Sequence, residues 1–316
     1  MASSIVAPLT RKAVQSLATT VSKRISNNFT KTPTACVRPI HSTVSSVKAL
    51  LQDLRDLDTS SLCDANKTIM ESSNDESNSI KIKLMNGTIR PMNHLNHRHP
   101  DEVGSGAVMA GVARTVSFTE PDDFLPVMRA LALEAEMDEV LVVDTMSSMR
   151  AVAGEIFVNE ARRKALAGIV IDGPVRDTAY LDNTDEIDEN ASVVNNGNDE
   201  AMATTPTMRI YATGITPYSG TTQSPGIMQP AVVTCGGIEV RPGEIVVGDN
   251  DGIIVGELDA FLKLVPVARN IQLVEQKLIA GITASVGGRP MDSMTNLEEH
   301  VRHRLEGKSS KLEFRI

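Results

Sequence analysis

The sequence is poor in aromatic residues and in closely spaced cysteines. Tryptophan is absent and aromatic residues are 3% of the 316 positions, which argues against stacking platforms for nucleotide bases and against aromatic carbohydrate clefts. The cysteines, Cys36, Cys63 and Cys235, lie far apart and form no CxxC pair. We therefore expect neither a disulfide framework nor a zinc knuckle, but a reducing compartment and an aliphatic core.

Long apolar runs and a positive charge balance are also missing. No run approaches the roughly 20 apolar residues that a bilayer span requires, so we expect no membrane partner. The formal net charge of -9 disfavours broad attraction to nucleic-acid phosphates, and we expect no nucleic-acid partner. Small molecules and proteins are the predicted ligands.

Acidic residues are missing from the first 52 positions, where lysines and arginines stand among many serines and threonines. Val14, Leu17, Val21 and Ile25 recur there at helical spacing, as in the amphipathic basic helix of a mitochondrial presequence. Residues 1–50 are therefore predicted to be a transit peptide or disordered, and the mitochondrion is the favoured location. A plastid destination, or a basic tail on a cytoplasmic protein, stays open.

Two apolar runs separated by a helical pattern predict a parallel crossover. Residues 140–143 are typical of a buried strand, 155–167 of a helix that Gly168 ends, and 169–171 of a second buried strand. Strand, helix and strand over about thirty residues are the pattern of a right-handed βαβ unit. The fold class is predicted to be α/β.

The remaining patterns give a domain organisation. A catalytic domain is predicted over 51–282, interrupted by an acidic, Asn-rich disordered insertion at about 181–208 and followed by a polar helical tail, 283–316. Within these bounds, further helices are predicted at 51–65, 124–137, 258–282 and 296–305. Short strands are predicted at 80–84 and at several positions between 210 and 255.

The start of the 155–167 helix is a candidate anion site. Gly154 permits close approach there, and the unpaired amides of Ile156 and Phe157 can cradle a carboxylate at the positive end of the helix dipole. Arg176 follows the second buried strand, at the edge where open α/β sheets place ligands, and can clamp the same carboxylate with two hydrogen bonds.

Two acidic residues complete this candidate site. Asp177 offers a hard oxygen ligand to Mg²⁺ or Mn²⁺, and Glu155 can hold metal-bound water from across the site. The simpler alternative is that Arg176 and Asp177 form an ion pair in a turn and that Gly154 only marks the start of a helix. The residues alone leave these alternatives about even.

The whole block resembles the hallmark segment of RraA-like proteins. The resemblance rests on GEIF at 154–157, the intervening helix and GIVIDGPVRD at 168–177. Further matches are VLVVD at 140–144, CGG at 235–237 and RPGEIVVGDNDG at 241–252. The similarity spans roughly residues 51–278.

The resemblance implies a swivelling β/β/α core like that of phosphohistidine domains, with stacked sheets and flanking helices, assembled as a homotrimer or homohexamer. It implies that residues 154–157 and Arg176 bind the substrate and that Asp177 binds Mg²⁺ or Mn²⁺, with Arg176, Asp177 and Glu155 as the catalytic set. The implied reaction is aldol cleavage or oxaloacetate decarboxylation, in which a small 2-oxo acid releases pyruvate.

One departure from the family pattern affects the implied activity. Family aldolases usually carry an acid three residues beyond this aspartate, where the chain has Tyr180. The family's namesake inhibits a ribonuclease through protein contact rather than through chemistry. A non-catalytic regulatory protein is therefore the alternative to a lyase.

Overall fold

The computed structural model describes residues 41–72, 81–93, 108–181, 208–223, 231–284 and 287–314. The chain divides into two units, Met1–Val47 and Lys48–Ile316. Of the first unit the structure describes only residues 41–47, which are helical. The predicted transit peptide therefore lies almost wholly outside the described residues, as does nearly all of the predicted acidic insertion. The domain boundaries proposed from sequence stay predictions.

Six α-helices are described. Their bounds are His41–Arg55 (α1), Thr59–Ser72 (α2), Leu125–Arg129 (α3), Glu155–Arg163 (α4), Leu258–Thr283 (α5) and Leu297–Leu305 (α6). A π-helical turn, Ala130–Glu134, continues α3, and short 3₁₀ turns cover Thr178–Tyr180 and Met291–Met294. Within the described ranges, no helix combines the length and apolar character needed to cross a bilayer.

Ten strands form two sheets. Their bounds are Ile82–Leu84 (β1), Arg90–Pro91 (β2), Met109–Ser117 (β3), Glu139–Asp144 (β4), Gly168–Val175 (β5), Arg209–Ile215 (β6), Val233–Cys235 (β7), Ile238–Val240 (β8), Ile245–Gly248 (β9) and Ile253–Gly256 (β10). Eight of them form a mixed sheet in the order β1-β10-β9-β3-β4-β5-β6-β2, and β7 pairs with β8 in a separate hairpin.

The centre of the large sheet is parallel. Strands β3, β4, β5 and β6 pair in parallel, whereas β1, β9, β10 and β2 pair antiparallel. The predicted βαβ unit is confirmed, because β4 and β5 are parallel neighbours joined through α4. The carboxyl ends of β4, β5 and β6 therefore share one edge of the sheet, and the candidate site lies there.

Both faces of the central strands are covered. Leu141 and Val143 of β4 pack in one apolar cluster with residues of α3 and α4, while Val140 and Val142 pack in another with residues of the β7–β8 hairpin. All four are fully buried. Side chains alternate between the faces of a strand, so a continuous apolar run is what a strand covered on both faces requires.

The predicted single helix over 51–65 is wrong at its centre. Residues 56–58 separate α1 from α2. The second helix begins after Asp58, whose carboxylate accepts the Ser61 amide at 2.6 Å as a helix cap. A second carboxylate, that of Asp249, accepts the Thr59 amide at 2.7 Å and the Thr59 hydroxyl at 2.8 Å. That carboxylate is 190 residues away in sequence, beyond the reach of any local pattern.

The other helices appear with shifted ends. The pattern over 124–137 forms α3 and the π turn, where the Ala135 amide donates to the Ala130 carbonyl oxygen at 2.8 Å. The pattern over 155–167 forms a helix only to Arg163, since Ala165 has a left-handed backbone with φ of 55° that ends it. The helices predicted at 258–282 and 296–305 are confirmed to within a residue or so.

Candidate active site

Hydrogen bonds between two distant segments assemble the candidate site. Strand β5 ends at Val175, and Arg176 and Asp177 follow it directly. The segment that leads into α4 runs beside this strand end: the Val152 amide donates to the Pro174 carbonyl oxygen at 3.4 Å, and the Arg176 amide to that of Ala153 at 3.1 Å. The predicted site residues at 154–157 and 176–177 are thereby brought to one place.

Asp177 lies against the first residue of α4. Its Oδ2 accepts the Glu155 backbone N–H at 3.4 Å. Gly154, which precedes the helix, has an ordinary extended backbone with φ of -161°. A Cβ at this position would overlap Asp177 Oδ2 and stand 2.9 Å from Arg176 Cγ. The glycine is therefore required for space rather than for its dihedral angles.

The backbone of Asp177 is strained. Its φ and ψ are 58° and 38°, in the left-handed region, which costs a non-glycine residue roughly 1–2 kcal/mol and is best tolerated by Asn and Asp. The Tyr180 amide donates to the Asp177 carbonyl oxygen at 2.9 Å and closes a 3₁₀ turn. Residues in such conformations persist only where the surrounding structure holds them, and they cluster at active sites and ligand-binding sites.

Arg176 and Asp177 also form the ion pair of the simpler alternative. Arg176 Nε lies 3.4 Å from Asp177 Oδ2, and the two side chains are 37% and 39% exposed. A pair this open to solvent contributes at most about 1 kcal/mol to stability. Both charges are thus accessible to a small ligand, and the ion pair does not by itself explain why the residues converge.

The first turn of α4 presents three amides at the site. The first hydrogen bond within the helix runs from the Val158 amide to the Gly154 carbonyl oxygen at 3.1 Å. The amides of residues 155–157 therefore have no acceptor within the helix. The Ile156 side chain is 77% exposed. Phe157 is half-buried and packs edge-to-face on Phe124, with ring centroids 5.7 Å apart, which anchors the turn.

A groove of about 350 Å³ lies beside Arg176 and Asp177, lined also by Thr178, Ala179, Ile215, Thr216 and Pro217. The wall at 215–217 is absent from the sequence-based prediction. It follows β6, which pairs in parallel with β5, and the Thr216 amide donates to the Val175 carbonyl oxygen at 3.0 Å. The apolar run at 210–212, predicted as a strand, was the signal that could have located this wall, because parallel strands end at a common edge.

Only a sparsely ligated metal ion fits these residues. Over the ranges that the structure describes, no three His, Cys, Asp or Glu side chains converge as in an all-protein metal cage. Asp177 offers one accessible carboxylate. Mg²⁺ retains several waters and is commonly held by one or two carboxylates together with its substrate. The site therefore suits a hydrated Mg²⁺ or Mn²⁺ ion bound through Asp177.

Comparison with known proteins identifies the family of the chain. The family model described as "RraA-like: Aldolase/RraA" matches residues 59–200 and 191–255. Together these segments cover more than half of the chain and include every candidate site residue. The chain belongs to the RraA-like family. The family predicted from the motifs is thereby confirmed.

Individual relatives are more distant. This RraA-like chain is 31% identical over 173 residues to a Halalkalibacterium halodurans protein named "Putative 4-hydroxy-4-methyl-2-oxoglutarate aldolase", covering 54% of this chain and 65% of that one. It is 29% identical over 148 residues to an uncharacterized Methanocaldococcus jannaschii protein, covering 47% and 59%. The chain thus spans less than two thirds of the length of either relative.

A solved structure shares the fold. The crystal structure of an uncharacterized protein from Pseudomonas syringae pv. tomato matches with a TM-score of 0.52 at 20% identity, covering 79% of this chain and 96% of that one. At this identity the likeness concerns the fold alone. It agrees with the mixed α/β architecture of one large sheet flanked by helices.

Proposed function

We propose that this RraA-like protein is a divalent-metal-dependent carbon–carbon lyase that releases pyruvate from a small 2-oxo acid. The observation that carries the proposal is the convergence of Arg176 and Asp177 on the first turn of α4, at the carboxyl end of a parallel strand. The name of the Halalkalibacterium relative supports an aldolase.

In this proposal the substrate carboxylate binds the first-turn amides of α4. The Ile156 and Phe157 N–H groups, at the positive end of the helix, form a ready-made anion site beside the Glu155 amide that Asp177 accepts. Arg176 adds a planar guanidinium that can pair with both carboxylate oxygens. Ile156 and Phe157 contribute through their amides, while the Phe157 ring packs on Phe124 and anchors the turn. These groups fix which end of the 2-oxo acid faces Asp177.

Asp177 would hold the Mg²⁺ or Mn²⁺ ion, and the partly exposed Glu155 would orient water around it. A bound divalent ion supplies Lewis-acid polarisation of the 2-oxo group. Cleavage of the substrate C3–C4 bond would leave its electron pair on C3 as the pyruvate enolate. The C4 fragment would depart as CO₂ from oxaloacetate or, in aldol cleavage, as a carbonyl product once its hydroxyl has lost a proton to water, and a proton from water would then return to C3. Arg176 and the α4 amides retain the pyruvyl carboxylate throughout, so binding energy orients the reacting bond.

Further features of the prediction belong to this proposal. They are a homotrimer or homohexamer, a mitochondrial location and a likeness of the core to the swivelling domain of phosphohistidine carriers. The hairpin β7–β8 packed on the large sheet supports the last of these, since stacked sheets are part of that description.

The regulatory alternative rests on Tyr180. Its side chain is 61% exposed and stands where family aldolases usually carry an acid. A phenol O–H donates a hydrogen bond where an ionised carboxylate only accepts, so Tyr180 does not supply the same group. A chain without turnover would act through protein contacts instead.

The deciding experiment measures pyruvate release by the full chain. Oxaloacetate and 4-hydroxy-4-methyl-2-oxoglutarate are offered with Mg²⁺ or with EDTA, to the native protein, to Asp177→Ala and to Asp259→Ala. The last removes an exposed aspartate of α5 outside the site and serves as the matched control. We expect metal-dependent release that is lost only in Asp177→Ala. Folded native protein with no release above the metal-only background would refute the lyase and favour the regulatory alternative.

A further inference from the structure

Asp122 lies outside the candidate site and binds a second loop with its carboxylate. Its Oδ1 accepts hydrogen bonds from Ser148 Oγ at 2.6 Å, from the Met149 amide at 2.8 Å and from the Arg150 amide at 2.9 Å. These bonds, above all the one from Ser148, hold the pKa of Asp122 below its usual value. The carboxylate is thus charged at neutral pH and gathers three donors of one loop.

The loop that Asp122 holds is strained. Met146 and Ser147 have φ angles of 53° and 61°, and Asp122 itself has φ of 64°. Three non-glycine residues in the left-handed region persist only where the surrounding structure holds them. The bonds to the Asp122 carboxylate oppose relaxation of this loop toward ordinary backbone angles.

The backbone of Asp122 extends the same network to the segment after β6. Its carbonyl oxygen accepts the Thr221 amide at 2.6 Å. Gly220 packs against that carbonyl group so closely that a Cβ would stand 3.3 Å from the Asp122 carbonyl carbon. The Gly220 amide in turn donates to the Ala151 carbonyl oxygen at 2.9 Å, and the Ala151 amide to that of Tyr218 at 2.8 Å.

This network ends at the candidate site. Residues 151–154 are all buried and lie between the segment at 218–220 and the end of β5. Three residues separate Arg150, whose amide donates to Asp122, from Gly154. The other side of the network continues through residues 216–217, which line the groove. Asp122 therefore bonds both chain segments that flank Arg176, the 148–150 loop through its carboxylate and the 218–221 segment through its backbone carbonyl.

We propose that Asp122 is a positioning residue: by holding the 148–150 loop and the 218–221 segment together, it keeps the first turn of α4 in register with Arg176. Asp122 touches no reacting atom. The expected effect of Asp122 on substrate binding rests on the proposed function, whereas its effect on the backbone does not. Experiments can therefore refute the positioning role and the proposed function independently.

Hydrogen–deuterium exchange of the full chain tests the backbone effect. We compare the native protein with Asp122→Ala and with Glu120→Ala, which removes an exposed acid from the same loop. In Asp122→Ala we expect exchange to be roughly tenfold faster in peptides covering 148–157 and less accelerated at 216–221, whose bond to the Asp122 backbone carbonyl remains, with β4 unchanged. Unchanged exchange in those peptides overturns the proposal, whether or not the protein releases pyruvate.

Ser148→Ala is the second variant, since it removes one donor and leaves the carboxylate in place. We expect a smaller acceleration in the same peptides. If Asp122→Ala does not fold, this variant decides, and native-like exchange at 148–157 then refutes the positioning role.

Steady-state kinetics test the consequence for the site. In Asp122→Ala, KM for the 2-oxo acid should rise roughly tenfold while kcat stays within about threefold, because ground-state binding is what the misplaced amides lose. A merely structural role lowers the amount of folded enzyme, so apparent kcat falls and KM is unchanged. That second pattern also overturns the proposal.

Discussion

The carboxylate of Asp177 occupies the space beside Gly154 that a β-carbon would fill, and it accepts the N–H of the residue that follows this glycine. The two residues lie 23 positions apart and belong to different elements. Each requires the other, since the glycine admits the carboxylate and the carboxylate satisfies a first-turn amide.

Gly154→Ala should therefore damage the site more than the fold. The Cβ cannot coexist with the present positions of the Asp177 carboxylate and Arg176 Cγ, whereas a φ of -161° suits alanine. We expect pyruvate release to fall at least about tenfold and Tm to change by only a few degrees. The control is Gly214→Ala on β6, where a Cβ meets nothing within 4 Å. Equal activity in both variants would contradict the close fit.

Asp177→Gly should separate stability from activity. Glycine relieves roughly 1–2 kcal/mol of left-handed strain but adds about 0.5–1 kcal/mol of unfolded-state entropy. Asp177→Ala loses the same carboxylate and the same bond to the Glu155 amide, so comparing the two variants isolates the backbone strain. The free energy of unfolding, measured by urea denaturation, should be about 0.5–1 kcal/mol higher for Asp177→Gly than for Asp177→Ala, while metal-dependent pyruvate release disappears in both. Equal stability of the two variants would contradict the strain, and activity in either would contradict the role of the carboxylate.

Tyr180→Glu restores the acid that family aldolases usually carry. The position is 61% exposed, so a carboxylate can be accommodated without burying charge. We expect kcat for pyruvate release to rise at least about tenfold, in line with the contribution of a positioned acid or base. Tyr218→Glu, at a tyrosine that is 71% exposed, is the matched control. A rise in both variants would point to a general charge effect.

Tyr211→Phe should weaken the link between β6 and the turn after β9. The buried Tyr211 hydroxyl donates to the Asp249 carbonyl oxygen at 2.9 Å, so its loss should cost about 1 kcal/mol or somewhat more. Urea denaturation measures this cost, and Tyr218→Phe at the surface should show none.

The same variant predicts a pH dependence. Burial raises the pKa of Tyr211 in the folded protein, so above pH 10 the unfolded chain loses this proton first. The hydroxyl's contribution is complete below the ordinary tyrosine pKa near 10 and is lost as pH rises further, at up to about 1.4 kcal/mol per pH unit. The difference in the free energy of unfolding between the native protein and Tyr211→Phe should therefore narrow above pH 10. A difference that stays constant with pH would mean that burial does not raise the pKa of Tyr211 in the folded protein.

Much of the sheet could be predicted because local patterns encode it. The apolar runs at 140–143 and 169–171 lie in β4 and β5, and their continuity reflects burial on both faces. The helix breaks could not be predicted in the same way. The start of α2 depends on the cap residue Asp58, which the apolar pattern over 51–65 concealed, and on the distant Asp249. The end of α4 depends on the left-handed Ala165, which has no periodic signal nearby.

The candidate site could likewise be predicted only where local patterns encode it. Arg176 and Asp177 follow a strongly patterned strand, and Gly154 precedes a helix, so their convergence could be predicted from a single βαβ unit. The groove wall at 215–217 and the loop held by Asp122 could not, because both depend on hydrogen bonds between segments about 30 to 100 residues apart. Tertiary contacts of that kind leave no periodic trace in the sequence.

The two outer strands of the large sheet limit edge-to-edge pairing between copies of the chain. At one edge β1 has three residues, and at the other β2 has two, one of them Pro91. Strands this short offer little template for a further strand, and proline has no N–H to donate. In the described part of the large sheet, both edges thus resist the strand-by-strand growth that leads to cross-β aggregation.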